Sequence, residues 1–277
     1  MSVESRYSFL HILGMGSFGV VWAARRNNDR KIFAIKLITV KSNEQTKLHY
    51  FLNEARVLRG VKHPNLVFIE EYTHDVPKER LYIVMEYCGH RDLAFFIKEF
   101  RANSCLVRPA KVWAIFAQVV NAVHWCHLQP RMIVHRDIKP ENVFITANNT
   151  FKLGDFGLYR SLAQRSVAYS FVGTPLYMAP EMLRNQPYSS KVDIWALGLL
   201  LYELCCLKPL FQANNQEELL KQMMLQPPPN IPLIYPQSMQ RLLHSMLNLE
   251  VSWIGKHNTI HNILNFASLY RDRLFRR

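Results

Sequence analysis

The chain has 277 residues, 49% of them hydrophobic and 20% charged, which is the make-up of a compact globule rather than a disordered or fibrous chain. Its formal charge of +13 favours acidic partners, but apart from Arg271, Arg273, Arg276 and Arg277 the basic residues are scattered. A solvated surface therefore explains them better than a nucleic-acid site.

Residues Met1 to Phe9 lack the apolar core of a secretory signal. Cys88, Cys105, Cys126, Cys205 and Cys206 have neither metal-ligand spacing nor disulfide-scaffold density, so they read as reduced thiols of an intracellular protein, cytoplasmic or nuclear. Strands are expected at Tyr7–Leu13, Val20–Arg25, Lys31–Thr39, Leu66–Tyr72 and Arg80–Tyr87. One helix interrupts them. Between Asn43 and Arg59 the residues Leu48, Phe51, Leu52, Ala55 and Leu58 recur at helical spacing, with Glu54 beside that stripe. From Asp92 onward the pattern turns helical, and Val112, Ile115, Phe116, Val119, Val120 and Val123 mark a long amphipathic helix. Ile194–Leu207, the most apolar run, is too short to cross a membrane and reads as a buried helix, so no membrane insertion is expected. Gly89 to Arg91 is the natural joint between a strand-rich first part and a helical second part.

Gly14, Gly16 and Gly19 form a G-x-G-x-x-G that joins two strands rather than a strand and a helix, with Val21 following. Taken alone, it fits a tight hairpin as well as a phosphate cradle. On the next strand, Ala34-Ile35-Lys36 would put an ammonium within reach of phosphates under the glycines, and Glu54 could aim it. Neither Lys36 nor Glu54 persuades by itself, since a solvated lysine and a surface carboxylate are common. His135-Arg136-Asp137-Ile138-Lys139-Pro140-Glu141-Asn142, with Asp155-Phe156-Gly157 thirteen residues after Asn142, is far more specific. Phosphoryl transfer needs an acceptor for the substrate proton, cations over the phosphates and oxygen ligands for magnesium. Asp137, Lys36 with Lys139, and Asn142 with Asp155 answer those needs in turn. Gly173-Thr174-Pro175, Ala179-Pro180-Glu181 and Asp193-Ile194-Trp195 follow.

With these motifs in this order, the chain resembles a eukaryotic protein kinase from Tyr7 to about Leu269. Within that superfamily it resembles the NIMA-related serine/threonine kinases, through Tyr82-Ile83-Val84-Met85-Glu86-Tyr87-Cys88, Asn142-Val143-Phe144-Ile145 and Phe171 to Met178. The resemblance implies an α+β bilobal fold in a single catalytic domain over 1–277: a small β-rich N-lobe (1–88) with one main helix, a hinge (86–91), and a larger, mainly α C-lobe (92–277). It implies ATP and Mg2+ as cofactors and protein serine or threonine hydroxyls as acceptors. By family analogy, it also implies cytoskeletal or centrosomal partners.

Carried over by resemblance, the glycine-rich loop Gly14, Met15, Gly16, Ser17, Phe18 and Gly19 covers the phosphates. Leu13, Val21 and Ala34 roof the adenine and Phe144 floors it. Met85 is the gatekeeper, and Glu86 and Cys88 bond the base through their backbones. Asp137 is the catalytic base, while Lys139 and Lys36, aimed by Glu54, steady the phosphates. Thr174 with Lys139 marks serine/threonine specificity, and Asn142 and Asp155 bind metal. Ser166 and Ser170 are candidate phosphosites, with Arg136 the expected phosphate partner.

The chain departs from the family pattern twice. Gly89-His90-Arg91-Asp92-Leu93 stands where Gly-Gly-Asp-Leu is usual, and His257 replaces the arginine that usually pairs with the glutamate of Ala-Pro-Glu, leaving Lys256 and His257 as partners for Glu181. The rival reading is a pseudokinase that binds nucleotide or partners without transfer. Its usual mark is loss of the lysine or of either aspartate, and Lys36, Asp137 and Asp155 are all present.

Overall fold

The computed structural model describes residues 2–16, 19–41, 43–89, 91–155, 175–225 and 228–248, without the side chains of 47, 50, 53, 54 and 57. Ser17, Phe18, Ser166, Ser170, Thr174, Lys256 and His257 lie outside the described residues, and so does the Glu54 side chain.

A short helix, α1 (Val3–Arg6), begins where Ser2 caps it, its hydroxyl accepting from the Ser5 amide at 3.3 Å. This turn buries Val3 against Tyr7, Phe33, Tyr82 and Val84 and so fixes the chain to the sheet that follows. That sheet has strands β1 (Tyr7–Gly16), β2 (Gly19–Arg26), β3 (Ile32–Thr39), β4 (Ile69–Asp75) and β5 (Arg80–Glu86), antiparallel in the order β1-β2-β3-β5-β4. Alternation along β3 decides the faces: Phe33 and Ile35 are buried on one side, whereas Ala34 and Lys36 turn to the opposite side. Between β3 and β4 runs α2 (Gln45–Leu58); of the stripe expected on it, Leu48, Phe51, Ala55 and Leu58 are buried and Leu52 is half-buried.

One strand falls later than expected. Leu66 does not begin β4 but bridges to Leu153, and the ladder with β5 opens only at Ile69. Apolar, β-prone residues at 66–68 suit either pairing, and tertiary contact chooses the partner from the other half of the chain.

Beyond the sheet, β6 (Arg91–Asp92), β7 (Val143–Ile145) and β8 (Phe151–Leu153) make a small antiparallel sheet in the order β6-β7-β8. Arg91, expected in the joint, thus pairs with Ile145. Asp92 pairs with Phe144 and also caps α3 (Leu93–Ala102), its carboxylate accepting from the Phe95 amide at 2.7 Å. Proline at its first position starts α4 (Pro109–His127), whose Val112, Ile115, Phe116, Val119, Val120 and Val123 are almost wholly buried. Further along come α5 (Pro180–Leu183), α6 (Lys191–Cys206), α7 (Gln216–Met224) and α8 (Gln237–Met246).

Helix α6 is apolar all round and is the centre of this half. Leu197, Leu200, Leu201 and Leu204 are each 0% exposed, and each such burial stabilises the fold by about 1.5–3 kcal/mol. A single Leu200→Ala change would remove about 2–5 kcal/mol by leaving a cavity. The molecule is therefore α+β as expected, a five-stranded N-lobe on a helical C-lobe.

Candidate active site

The ladder brings four of the expected residues onto one surface. Residues directly opposed in a sheet share a face. Val21 lies opposite Lys36, and Ala34 opposite Met85, and Ala34 and Lys36 are two apart on β3. Val21, Ala34, Lys36 and Met85 therefore line the same side, all half-buried. The β1–β2 hairpin closes above them with Gly16 opposite Gly19. Gly19 has φ +147°, and a Cβ there would stand 2.0 Å from the Leu37 carbonyl oxygen, so β3 itself demands glycine. At Gly14 and Gly16 a Cβ would meet nothing within 4 Å, so packing does not explain these two residues.

Below the sheet, the segment 135–155 is held by a buried carboxylate on α6. Asp193, 0% exposed, accepts from the backbone amides of His135 and Arg136, both at 2.8 Å, and contacts His127 Nε2 on α4 at 2.8 Å. Arg136 has φ 69° and Asp155 φ 54°, left-handed conformations that non-glycine residues adopt only where the surroundings hold them. His135 is fully buried, and burial keeps its pKa below the ordinary histidine value. As a neutral ring it accepts from the Asp137 amide through Nδ1 at 3.3 Å and donates through Nε2 to the Gly154 carbonyl at 3.1 Å. One imidazole thus ties the backbone at Asp137 to the backbone just before Asp155.

The polar side chains expected to do chemistry converge here. Asn142, in a 3₁₀ turn (Pro140–Asn142), donates from Nδ2 to the Asp137 carbonyl at 2.7 Å and to Asp137 Oδ2 at 2.8 Å. That commitment of Nδ2 leaves Oδ1 as the side-chain atom able to ligate a cation. Lys139 Nζ is 3.4 Å from Asp137 Oδ2. From the sheet, Lys36 Nζ reaches Asp155 Oδ1 at 2.5 Å. Burial opposes the charge on Asp155, but the Lys36 ammonium outweighs it and holds the carboxyl below its usual pKa. The expected Lys36–Glu54 pair falls outside the described side chains. A carboxylate beside an amide oxygen is the kind of donor set that magnesium prefers.

At the joint between the lobes the Glu86 amide is taken by the Phe68 carbonyl at 2.9 Å, and the Glu86 carboxylate turns back to the Phe68 amide and Lys152. Cys88 is 7% exposed, and burial pushes its thiol up to about 12. Leu13 and Phe144 are half-buried, while Met15 is 74% exposed at the hairpin tip. Arg136, expected to receive a phosphate, lies with its guanidinium 5.4 Å from the Tyr188 ring centroid.

Several residues have roles that the sequence did not assign. Asp193 stood out in a motif without a stated role, and its meeting with His127 across two helices is joined by no local pattern. Gly154 packs so closely that a Cβ would lie 2.7 Å from Val67 Cγ2; its place just before Asp155 is the one available signal. Glu203, which interrupts the apolar run of α6, accepts from the Tyr177 hydroxyl and lies 4.0 Å from Arg101. Burial raises the pKa values of both Glu203 and Tyr177. A charge inside an otherwise apolar stretch was the cue for that one.

Residues 7–264 match the protein kinase domain family, and the chain belongs to it. Among curated proteins it is similar to the serine/threonine-protein kinase Nek2 of Mus musculus, 39% identical over 248 residues, covering 88% of this chain and 56% of that protein. It is 35% identical over 246 residues to the probable serine/threonine-protein kinase nek2 of Dictyostelium discoideum, covering 88% of this chain and 59% of that one. To the G2-specific protein kinase nimA of Emericella nidulans it is 32% identical over 274 residues, covering 90% of this chain and 39% of that protein. The expected likeness to NIMA-related serine/threonine kinases is therefore found over most of the chain, which spans little more than half the length of the first two relatives.

Proposed function

We propose that this chain transfers the γ-phosphoryl group of ATP, with magnesium, to serine or threonine hydroxyls of proteins, as a NIMA-related kinase. The observation that carries this reading is the convergence of Lys36 on Asp155 and of Lys139 and Asn142 on Asp137. Asp137 accepts the hydroxyl proton as the Ser or Thr oxygen bonds to phosphorus and ADP leaves. Asn142 orients the Asp137 carboxylate through its Nδ2 hydrogen bond, and Lys139 balances the charge gathered there. Asp155 and Asn142 Oδ1 would hold magnesium, which when bound neutralises charge on the phosphates. Leu13, Val21 and Ala34 would cover the adenine beside the gatekeeper Met85, with the Glu86 carbonyl and Cys88 backbone bonding it and Phe144 beneath.

The division into lobes at 1–88 and 92–277, with a hinge at 86–91, is part of the same reading. So are protein substrates of cytoskeletal or centrosomal type, which rest on family likeness, and an intracellular, cytoplasmic location, which the five unpaired cysteines support. Intact Lys36, Asp137 and Asp155 speak against a pseudokinase. Radiolabelled transfer from ATP to casein or a basic protein, with and without magnesium, tests the reading. Magnesium-dependent phosphoserine or phosphothreonine is expected, and ATP binding without transfer would replace the kinase with the pseudokinase.

A further inference from the structure

Residues 65–68, of which 66–68 were expected to start a strand, instead bond to both β5 and β8. On one side, Leu153 and this segment exchange two bonds, from the Leu153 amide to the Asn65 carbonyl and from the Val67 amide to the Leu153 carbonyl, both at 2.9 Å. On the other side Glu86 does the same with Phe68: its amide donates to the Phe68 carbonyl at 2.9 Å, and its Oε1 accepts from the Phe68 amide at 2.7 Å. Lys152 closes the circuit. Its Nζ lies 2.8 Å from Glu86 Oε1 and 3.3 Å from the Leu66 carbonyl oxygen. Val67 presses on Gly154, where a Cβ would stand 2.7 Å from Val67 Cγ2, and Asp155 comes next with its left-handed backbone.

We infer that Glu86 and Lys152 are a positioning pair that sets where β8, and with it the Asp155 carboxylate, stands relative to the hinge. The inference rests on the proposed function, in which the hinge backbone receives adenine and Asp155 receives magnesium. The pair is only 28% and 15% exposed and shares one carboxylate oxygen between a lysine and a backbone amide, which fixes the geometry of the three segments it joins. Both of its ends lie close to the site in sequence. Glu86 belongs to the hinge itself, and Lys152 is three residues ahead of Asp155. Misplacing a reacting group by about 1 Å can cost 10²-fold in rate, so a small displacement of β8 has a large lever.

The test separates metal-dependent from metal-independent binding. Calorimetry would follow adenosine, which needs no metal, and ATP across a magnesium titration, in the wild type and in Lys152→Met, Glu86→Gln, the double variant and Lys152→Arg. Each single variant should raise the magnesium concentration for half-maximal ATP binding about fivefold, with the adenosine affinity of Lys152→Met within about twofold of wild type and the double variant no worse than either single, as for one shared interaction. Lys152→Arg, which keeps the cation, should restore most of the wild-type magnesium dependence. Glu86→Gln keeps an acceptor for the Phe68 amide and supplies the same reading should Lys152→Met fail to fold. Unchanged magnesium dependence, an equal loss of adenosine affinity or additive single effects would each overturn the pair. A wild type that binds ATP with magnesium but transfers nothing overturns the kinase reading while these binding data still judge the pair. One that binds neither ligand overturns both.

Discussion

The segment 135–155 and the β1–β2 hairpin face the same cleft, yet they are held in different ways. In the segment, His135 is 0% and Asn142 5% exposed, and side chains and amides are tied by hydrogen bonds to Asp193, Gly154 and one another. The hairpin has Leu10 41%, Ile12 40% and Met15 74% exposed and two register irregularities in its ladder. Groups that move protons and hold charge need fixed positions in a poorly solvated setting, because a misplaced dipole there has no water to correct it. A cover made of backbone amides needs only to approach, and glycine permits that without a rigid support.

The comparison breaks most visibly at the reacting groups. Asp137→Asn and Asp155→Ala should each lower turnover by at least 10²-fold, since a positioned base contributes about 10²–10⁴. Asp137→Asn should still bind ATP in an equilibrium measurement, because its carboxylate serves the acceptor. Near-normal turnover by either variant would remove these residues from the roles proposed.

Next in size is the support beneath them. Asp193→Ala would leave the buried amides of His135 and Arg136 without their acceptor, at about 1–3 kcal/mol each. Chemical denaturation should show a loss of about 3 kcal/mol, with turnover falling as well. A stability equal to wild type would mean that the loop is held from elsewhere.

The hairpin offers a smaller contrast within itself. Gly19→Ala forces a Cβ towards the Leu37 carbonyl and should cost about 1–3 kcal/mol in a melting experiment. Gly14→Ala meets open space and should leave the melting temperature unchanged while weakening ATP binding. Equal melting losses for both would deny that Gly19 is structural and Gly14 is not.

The smallest effect is one of pH. Burial lowers the His135 pKa in the folded state below the ordinary value of about 6.5, so the unfolded chain binds the proton more readily. Its contribution is therefore fully present above about pH 6.5 and is lost as pH falls from there through the folded value. His63, depressed by burial too, acts in the same direction. Melting temperatures taken between neutral pH and pH 5 should fall for the wild type and fall less for His135→Gln. Parallel curves would assign the acid sensitivity to other groups.

The sequence by itself determined the elements whose side chains repeat with a period and the site residues that sit in short motifs. The buried stripe of α4 and the apolar α6 were legible because burial imposes periodicity or its absence. Asp137, Asn142 and Asp155 were legible because one loop and its following hairpin carry them in two short motifs thirteen residues apart. What only the tertiary structure decided is where distant residues meet. Leu66 and Val67 could have continued β4, and chose β8; Asp193 could have been one more charge at a helix start, and became the acceptor for the loop that holds Asp137. The reason is physical. Periodicity records which side of an element is buried, whereas a hydrogen bond between residues 57 or 66 apart depends on the packing of whole helices, and that packing leaves no mark at either end alone.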